Sequence, residues 1–438
     1  MTNMTDLIIK QAKSLNGTVK APPSKSFTHR AMIAALLSEG RSTIKNALFC
    51  DDTLATIESC HLLGARIVQN KQGILKIDGH SKPSTPDDVI NCRDSASTMR
   101  FLTPVCALAE GISVLTGGES LRQRPMEPVL TALMQLGVLC YSAKGDGHPP
   151  LVVFGGGIAG GEAFLRGDVS SQFISGLLFA TPLGKKDTDI VMLTSLESKP
   201  YVEMTLDILK KHGLTFEVQP DYNRFHVPCQ QTYSPSNHTI EGDFSSAAFL
   251  MAAAAVTNSN VRILNLRSDS VQGDRAIVNL LKEMGVQIKV GKGFIEVQGA
   301  KNELKPININ LKDKPDLIPV MAIVSCFASG KSLIHGVKRL RFKESDRETT
   351  LLGELTKMGA KIKSTKDTIE VNGIKSLQGA ELDSHGDHRI AMACIVAGLK
   401  ASGTTIVKGV ECINKSYPNF VSDIVSLGAE VDERKFDR

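Results

Sequence analysis

The stretch His61-Leu62-Leu63-Gly64-Ala65-Arg66-Ile67 returns, altered but recognisable, five more times along the chain. It reads Met134-Gln135-Leu136-Gly137-Val138-Leu139-Cys140, then Leu209-Lys210-Lys211-His212-Gly213-Leu214-Thr215-Phe216. It comes again as Leu281-Lys282-Glu283-Met284-Gly285-Val286-Gln287-Ile288, as Leu355-Thr356-Lys357-Met358-Gly359-Ala360-Lys361-Ile362, and as Val425-Ser426-Leu427-Gly428-Ala429-Glu430-Val431. The glycines stand 73, 76, 72, 74 and 69 residues apart, and a sixth of the 438 residues is 73. Six units therefore account for the chain, and an internal repeat of this kind sets the architecture before any single element is placed.

A second signal runs in phase. Six apolar stretches, at 30–44, 99–115, 173–193, 247–264, 317–334 and 389–407, each open as a helix and end in a β-branched run. They are apolar nearly all round, which marks buried helices. The glycine after each is expected as a left-handed C′ residue, and the Val/Ile/Leu run beyond it predicts a strand. The Leu-x-x-x-Gly elements read as second, more amphipathic helices, again closed by glycine. A unit of this size exceeds the usual solenoid repeat of about 20–50 residues. A TIM barrel needs eight strand–helix units rather than six doubled ones. The expectation is an α/β chain with helices inside and sheets outside, an inside-out α/β barrel in two lobes, with six pseudo-repeats arranged three per domain. The polar stretch Gln230–Asn237 before Ile240-Glu241-Gly242-Asp243 marks the boundary near the middle, and a ligand is expected in the cleft between the lobes.

Composition bounds the rest. With 42% hydrophobic residues the chain can fill a sizeable core, so global disorder is excluded. The longest wholly apolar run, Ala247 to Val256, is about half of what a bilayer helix needs. No charged segment followed by an apolar one opens the chain, which predicts a cytoplasmic protein without a membrane partner. Nine cysteines, with no Cys-x-x-Cys pair, read as reduced thiols. A net charge of +5 suits anionic small molecules but is too diffuse for nucleic acid, and the lack of tryptophan argues against base stacking.

The densest polar clusters stand where the buried helices begin. They are Ser24-Lys25-Ser26 with His29 and Arg30, Arg93 to Arg100, Ser170-Ser171-Gln172, Asp243-Phe244-Ser245, Asp313-Lys314-Pro315-Asp316, and Asp387-His388-Arg389. Hydroxyls and cations at a helix N-terminus make an anion site, because unpaired N–H groups and the dipole add to the charges. A serine there is equally an ordinary N-cap, so Ser24 and Ser26 keep both roles open. Arg122-Gln123-Arg124 and Arg341 to Arg347 are further charged loops, though Lys343-Glu344-Ser345-Asp346-Arg347 also reads as a solvated helix start. Gly330-Lys331-Ser332 lacks the upstream glycine of a phosphate loop, where Ser325 stands instead. His385 and His388 have ligand spacing but no third partner, so no metal is expected.

These clusters, in this order, resemble the 3-phosphoshikimate 1-carboxyvinyltransferase family, also called 5-enolpyruvylshikimate-3-phosphate synthase, over essentially the full length. The segments that carry the resemblance begin at Pro22, Gly117, Asp168, Leu196, Glu241, Phe342, Gly386 and Asn414. The resemblance implies six βαβαββ units and chain exchange between the lobes near Lys20 and Glu241. That corresponds to one domain from 1–20 with 242–438 and another from 21–241, with the site between them.

The resemblance also implies a reaction, transfer of the enolpyruvyl group of phosphoenolpyruvate to the 5-hydroxyl of 3-phosphoshikimate with release of phosphate. It assigns 3-phosphoshikimate to Lys25, Ser26, Arg30, Ser170, Ser171, Gln172, Ser198, Tyr201, Asp316 and Lys343. Phosphoenolpyruvate falls to Lys25, Ala96, Arg124, Gln172, Arg347, Arg389 and Lys415. Asp316 becomes the base for the hydroxyl and Glu344 the acid for the methylene carbon, with Lys25 as the third catalytic group. Two polyanionic substrates call for several fixed cations, and the two proton transfers call for carboxyls in opposite states. No cofactor is demanded, and a monomer is expected.

One segment departs from the family, which usually has Gly-Asn-Ala/Ser-Gly-Thr where this chain has Arg93-Asp94-Ser95-Ala96-Ser97. The methyl of Ala96 is expected to narrow the pocket against glyphosate, the family's bulkier inhibitor. The alternative within this fold is UDP-N-acetylglucosamine enolpyruvyl transferase. Its reactive cysteine is missing from Glu119-Ser120-Leu121-Arg122. A non-catalytic anion binder would need neither Asp316 nor Glu344.

Overall fold

The computed structural model describes residues 4–70, 73–300 and 302–436. The chain divides into two compact units, one formed by residues up to Pro22 and from Glu241 onward, the other by Pro23–Ile240. Among the described residues there are six four-stranded sheets, three in each unit.

Each sheet has one plan. In the second repeat, Ile90–Asn91 runs parallel to Ile112–Thr116, and the helix Ala96–Cys106 is the crossover between them. The helix Glu127–Gln135 then leads to the hairpin of Cys140–Ser142 and Leu151–Phe154, which joins the sheet antiparallel. This is the βαβαββ unit, and a parallel pair needs such a crossover whereas the antiparallel pair needs only a turn.

Three units are completed by strands far away in sequence. Asn237–Thr239 pairs with Gly40–Lys45, so the last strand of the unit Pro23–Ile240 closes its first sheet. In the other unit, Asn16–Lys20 lies parallel to Asn260–Leu264, and Met4–Lys10 inserts between Thr404–Lys408 and Val431–Phe436. Residues 4–20 thus serve two different sheets.

The repeat glycines explain how the second helices stop. Gly64, Gly137, Gly213, Gly285, Gly359 and Gly428 all have φ between +82° and +104°, which a side chain would strain. After five of them the next N–H donates to a carbonyl five residues back, as from Ala65 to Cys60 and from Ala360 to Leu355, closing the helix. The expectation of a left-handed glycine after every inner helix fails twice. The helix Ser171–Ala180 continues into a 3-10 turn, Thr181–Leu183, and Gly184 leaves it extended at φ −69°. In the fourth repeat Asn258, at φ +54°, does the work of glycine. Gly330-Lys331-Ser332 runs into the strand Lys331–His335, with Lys331 paired to Glu370.

The inner helices are the core. Every residue of Phe244–Val256 and of Ile318–Cys326 is buried, and only Lys400 of His388–Lys400 is not. These three pack on one another, as Ala96–Cys106 does on Lys25–Leu36 and Ser171–Ala180 in the other unit. Burying each large apolar side chain is worth roughly 1.5–3 kcal/mol, so apolar faces all round are stable only when every face is covered. Packing is close enough that a Cβ on Gly176 would stand 2.3 Å from the Arg100 carbonyl oxygen. No helix among the described residues is long and apolar enough to cross a membrane.

Candidate active site

Five of the six inner helices start on a Ser or Asp whose side chain caps them. Ser24, Ser95 and Ser170 cap the helices of one unit, and their hydroxyls accept from the N–H groups of Phe27, Thr98 and Gln172. Asp243 and Asp387 do the same in the other, accepting from Ser246 and Arg389, while Lys314 precedes the turn Pro315–Leu317 that leads into Ile318–Cys326. Two residues beyond each cap stand Ser26, Ser97 and Gln172 in one unit and Ser245, Asp316 and Arg389 in the other. These equivalent positions hold four of the expected site residues.

In the unit Pro23–Ile240, the Lys25 ammonium lies 2.7 Å from a carboxylate oxygen of Asp52, the second residue of the helix Asp51–Leu62. Arg30 is buried, and each of its three nitrogens donates one hydrogen bond within the protein. Its Nε donates to Thr205 Oγ1 (2.8 Å), Nη1 to the Ser26 carbonyl (2.9 Å) and Nη2 to the Tyr201 carbonyl (2.9 Å). Burial pushes its guanidinium down to about 9. Arg30 therefore ties Ser26 and Tyr201 together besides offering charge. Ser198 caps the helix Lys199–Lys211 in the left-handed region at φ 59°, a strained place for a non-glycine residue and one that functional sites tolerate.

Gln172 sits in a polar web. Arg100 Nη1 donates to Gln172 Oε1 (3.0 Å) and to Ser170 Oγ (3.3 Å), and Gln172 Nε2 donates to Ser97 Oγ (2.8 Å). Ser171 and Ala96 are buried at the first positions of their helices, and Arg124 is buried just after the turn Glu119–Arg122. His29 is no ligand here. Its Nδ1 meets Thr56 Oγ1 at 2.7 Å, Thr56 meets Thr98 at 2.7 Å, and burial, then Lys25 and Arg30, hold the imidazole neutral.

The departure at Asp94 has a structural use. Leu121 N donates to Asp94 Oδ1 (3.2 Å), so the carboxylate caps the turn that leads to Arg124. A Cβ on Gly118 would stand 2.5 Å from that same oxygen.

The other unit gathers the charged residues of the fifth and sixth repeats around Arg347. This buried guanidinium donates from Nη1 to Asp316 (3.0 Å), from Nη2 to Glu344 (2.7 Å), and from Nε and Nη2 to Asp387 (2.9 and 3.2 Å). Burial works against its charge, but Asp387, Glu344 and Asp316 outweigh it and raise its proton affinity. Asp316 also has Arg389 Nη2 at 3.5 Å and Lys343 Nζ at 3.7 Å. Burial alone would raise the Asp316 carboxyl, yet Lys343, Arg389 and Arg347 hold it well below the usual range. Burial is the largest cause acting on Lys343 and brings it down to about 8. Lys415 is buried at the end of the turn Val410–Lys415, against the helix His388–Lys400. His385 Nε2 lies 2.8 Å from Glu354 Oε1.

Sequence reasoning missed Asp52, Arg100, Thr205 and Asp387 as partners of the site. Asp387 and Arg100 sit inside segments already singled out, so the cap position could have found them. Asp52 stands 27 residues from Lys25 with no local pattern to mark it.

The pattern of the EPSP synthase family, 3-phosphoshikimate 1-carboxyvinyltransferase, matches residues 9–424. The chain belongs to this family. A 3-phosphoshikimate 1-carboxyvinyltransferase of Methanocaldococcus jannaschii is 44% identical over 427 residues, covering 97% of this chain and 99% of its own. One from Methanococcus maripaludis is 39% identical over 430 residues, covering 97% and 99%. Among solved structures, an EPSP synthase of Acinetobacter baumannii superimposes with a TM-score of 0.83 at 26% identity, covering 98% of this chain and all of that one. The two-lobed α/β architecture and the carboxyvinyl transfer are thereby those of this family, and the UDP-N-acetylglucosamine alternative is not favoured.

Proposed function

We propose that the charged ends of the two units serve one pair of substrates, phosphoenolpyruvate and 3-phosphoshikimate. The observation that carries the assignment of roles is the single arginine, Arg347, which binds both Asp316 and Glu344. A pure anion binder gains nothing from two carboxylates at its strongest cation.

Asp316 removes the proton of the 5-hydroxyl as that oxygen bonds to C2 of phosphoenolpyruvate, and Glu344 gives a proton to C3. The tetrahedral adduct then returns a C3 proton to the Glu344 carboxylate as its C2–O bond to phosphate breaks, and the proton held by Asp316 leaves with that phosphate. Atoms balance with no cofactor. Lys25, Ser26, Arg30, Ser170, Ser171, Gln172, Ser198, Tyr201 and Lys343 receive 3-phosphoshikimate. Lys25, Ala96, Arg124, Gln172, Arg347, Arg389 and Lys415 receive phosphoenolpyruvate. The carboxylate of phosphoenolpyruvate competes with Glu344 for Arg347, and a Glu344 released from its cation takes up the proton it must deliver. The nine free thiols suit a reducing, cytoplasmic setting, and the chain acts as a monomer.

Phosphate release by the purified protein tests the reading. Release should require both substrates and fall by roughly 10²–10⁴-fold in Asp316→Ala, the usual contribution of a positioned base. Native turnover in that variant would remove Asp316 from the role.

A further inference from the structure

The helix Phe244–Val256 opens at the same relative position as its two neighbours, and the residue standing there, Ser245, has no part in the reading above. Its hydroxyl donates a short hydrogen bond to Oδ2 of Asp274, and both residues are buried. Asp274 belongs to the turn Gly273–Ala276, which packs on that helix. The preceding loop is fastened to the helix start as well. Phe244 N donates to Gln272 Oε1 (3.0 Å), and Gln272 Nε2 donates to the Gly242 carbonyl (2.8 Å). Asp274 is therefore tied to the first turn of this helix at Ser245; one turn on, Arg389 lies over the Phe249 ring at 5.8 Å, and the same Arg389 meets Asp316 at 3.5 Å. The charged groups bearing on it are Asp316 and Arg389, from the other two helix starts, and Asp243 at the cap of its own.

We propose that Asp274, anchored by Ser245, is a positioning residue for the transfer reaction, its negative charge setting the proton affinity of the base Asp316. Three cations hold Asp316 so firmly ionised that alone it is a poor acceptor for a hydroxyl proton. A second buried carboxylate, repelling Asp316 and drawing on Arg389, offsets part of that field and brings the base nearer its useful range. Burial first, and Asp316 second, push the Asp274 carboxyl up to about 6. As pH falls through that value Asp274 takes a proton, its repulsion disappears, and Asp316 weakens as a base while remaining ionised. The two carboxyls titrate as a pair.

This rests on Asp316 being the base, so the experiment separates the two. kcat/KM for phosphoenolpyruvate, which reports the free protein's groups, is followed against pH, from about 5 to about 9, for the native protein, Asp274→Asn and Ser245→Ala. The native profile should show an acid limb near pH 6. In Asp274→Asn that limb should vanish, with kcat about tenfold lower at neutral pH and KM for phosphoenolpyruvate within about twofold of native. Ser245→Ala keeps the charge and loses a hydrogen bond that favours the ionised form, so its limb should move to higher pH. A limb near pH 6 that persists in Asp274→Asn, or a native profile without one, overturns the proposal. Should Asp274→Asn fail to fold, an unmoved limb in Ser245→Ala overturns it. Failure of the parent reading looks different, since Asp316→Asn would then retain native turnover.

Discussion

Arg347 donates to three carboxylates, and none of those contacts is local in the chain except Glu344, three residues away. Asp387 lies 40 residues off. A sequence shows that charges of both signs cluster before a helix, but the ordinary reading of such a run is a solvated helix start. Burial overturns that reading, because an unpaired guanidinium in a dry site would cost several kcal/mol and each partner removes part of that cost. Lys343 gives the clearest consequence at this scale. Burial brings its ammonium down to about 8, so above that pH the free protein loses a cation assigned to 3-phosphoshikimate. kcat/KM for 3-phosphoshikimate should fall on the alkaline side near pH 8, and Lys343→Arg should carry that limb upward. An identical limb in the variant would assign it elsewhere. Ala96 is buried at the first turn of its helix, and one methyl separates it from the glycine usual in the family. Ala96→Gly should tighten glyphosate inhibition by about tenfold or more, the order expected when a methyl clash is relieved, and unchanged inhibition would rule the methyl out.

At the scale of elements, caps and closing glycines follow from local chemistry, which is why the repeat could be read directly. Helix partners do not. The helix Lys199–Lys211 ends at His212, and the closing strand Asn237–Thr239 carries His238, with the two Nε2 atoms 2.9 Å apart. Ser38 Oγ donates to the Ala34 carbonyl (2.7 Å), and the Ser234 carbonyl lies 2.9 Å from His212 Nδ1. That carbonyl requires Nδ1 of His212 to carry its hydrogen, so His212 Nε2 accepts from His238 Nε2–H. Burial is the main cause holding both rings down to about 4, with His238 adding to it for His212 and Lys211 for His238. The unfolded imidazoles titrate near 6.5, so the unfolded chain binds more protons between about pH 6.5 and pH 4. Stability should therefore be full above about 6.5 and fall toward pH 4, by ~3 kcal/mol for each ring in order of magnitude. Urea midpoints across that range check it. His238→Asn should flatten the slope, and an equal slope in the variant would exonerate the pair.

For the whole molecule, the donated strands decide what can fold alone. Residues 23–240 are continuous, hold their own core and close their own first sheet with Asn237–Thr239. Residues 241–438 lack Met4–Lys10 and Asn16–Lys20, each of which completes a sheet of that unit. The fragment 23–240 should melt cooperatively by far-UV circular dichroism, whereas 241–438 should do so only when residues 1–22 are joined or supplied. Cooperative melting of 241–438 alone would mean that the donated strands are dispensable.

The sequence by itself determined the six repeats, the inner helices with their apolar faces, the glycine stops and the places where charge collects. Each of these is a matter of residues a few positions apart, where periodicity and backbone preference act. Only the tertiary structure decided that Asp52 meets Lys25, that Asp387 and Asp316 share Arg347, and that Asp274 bonds to Ser245. It also decided that residues 4–20 complete two sheets hundreds of positions later. Strands of two or three residues, such as Ile90–Asn91, are too short to carry a pattern, and a carboxylate's partner is set by which helix starts are brought together. Those choices are made by packing, which couples residues that the chain itself keeps far apart.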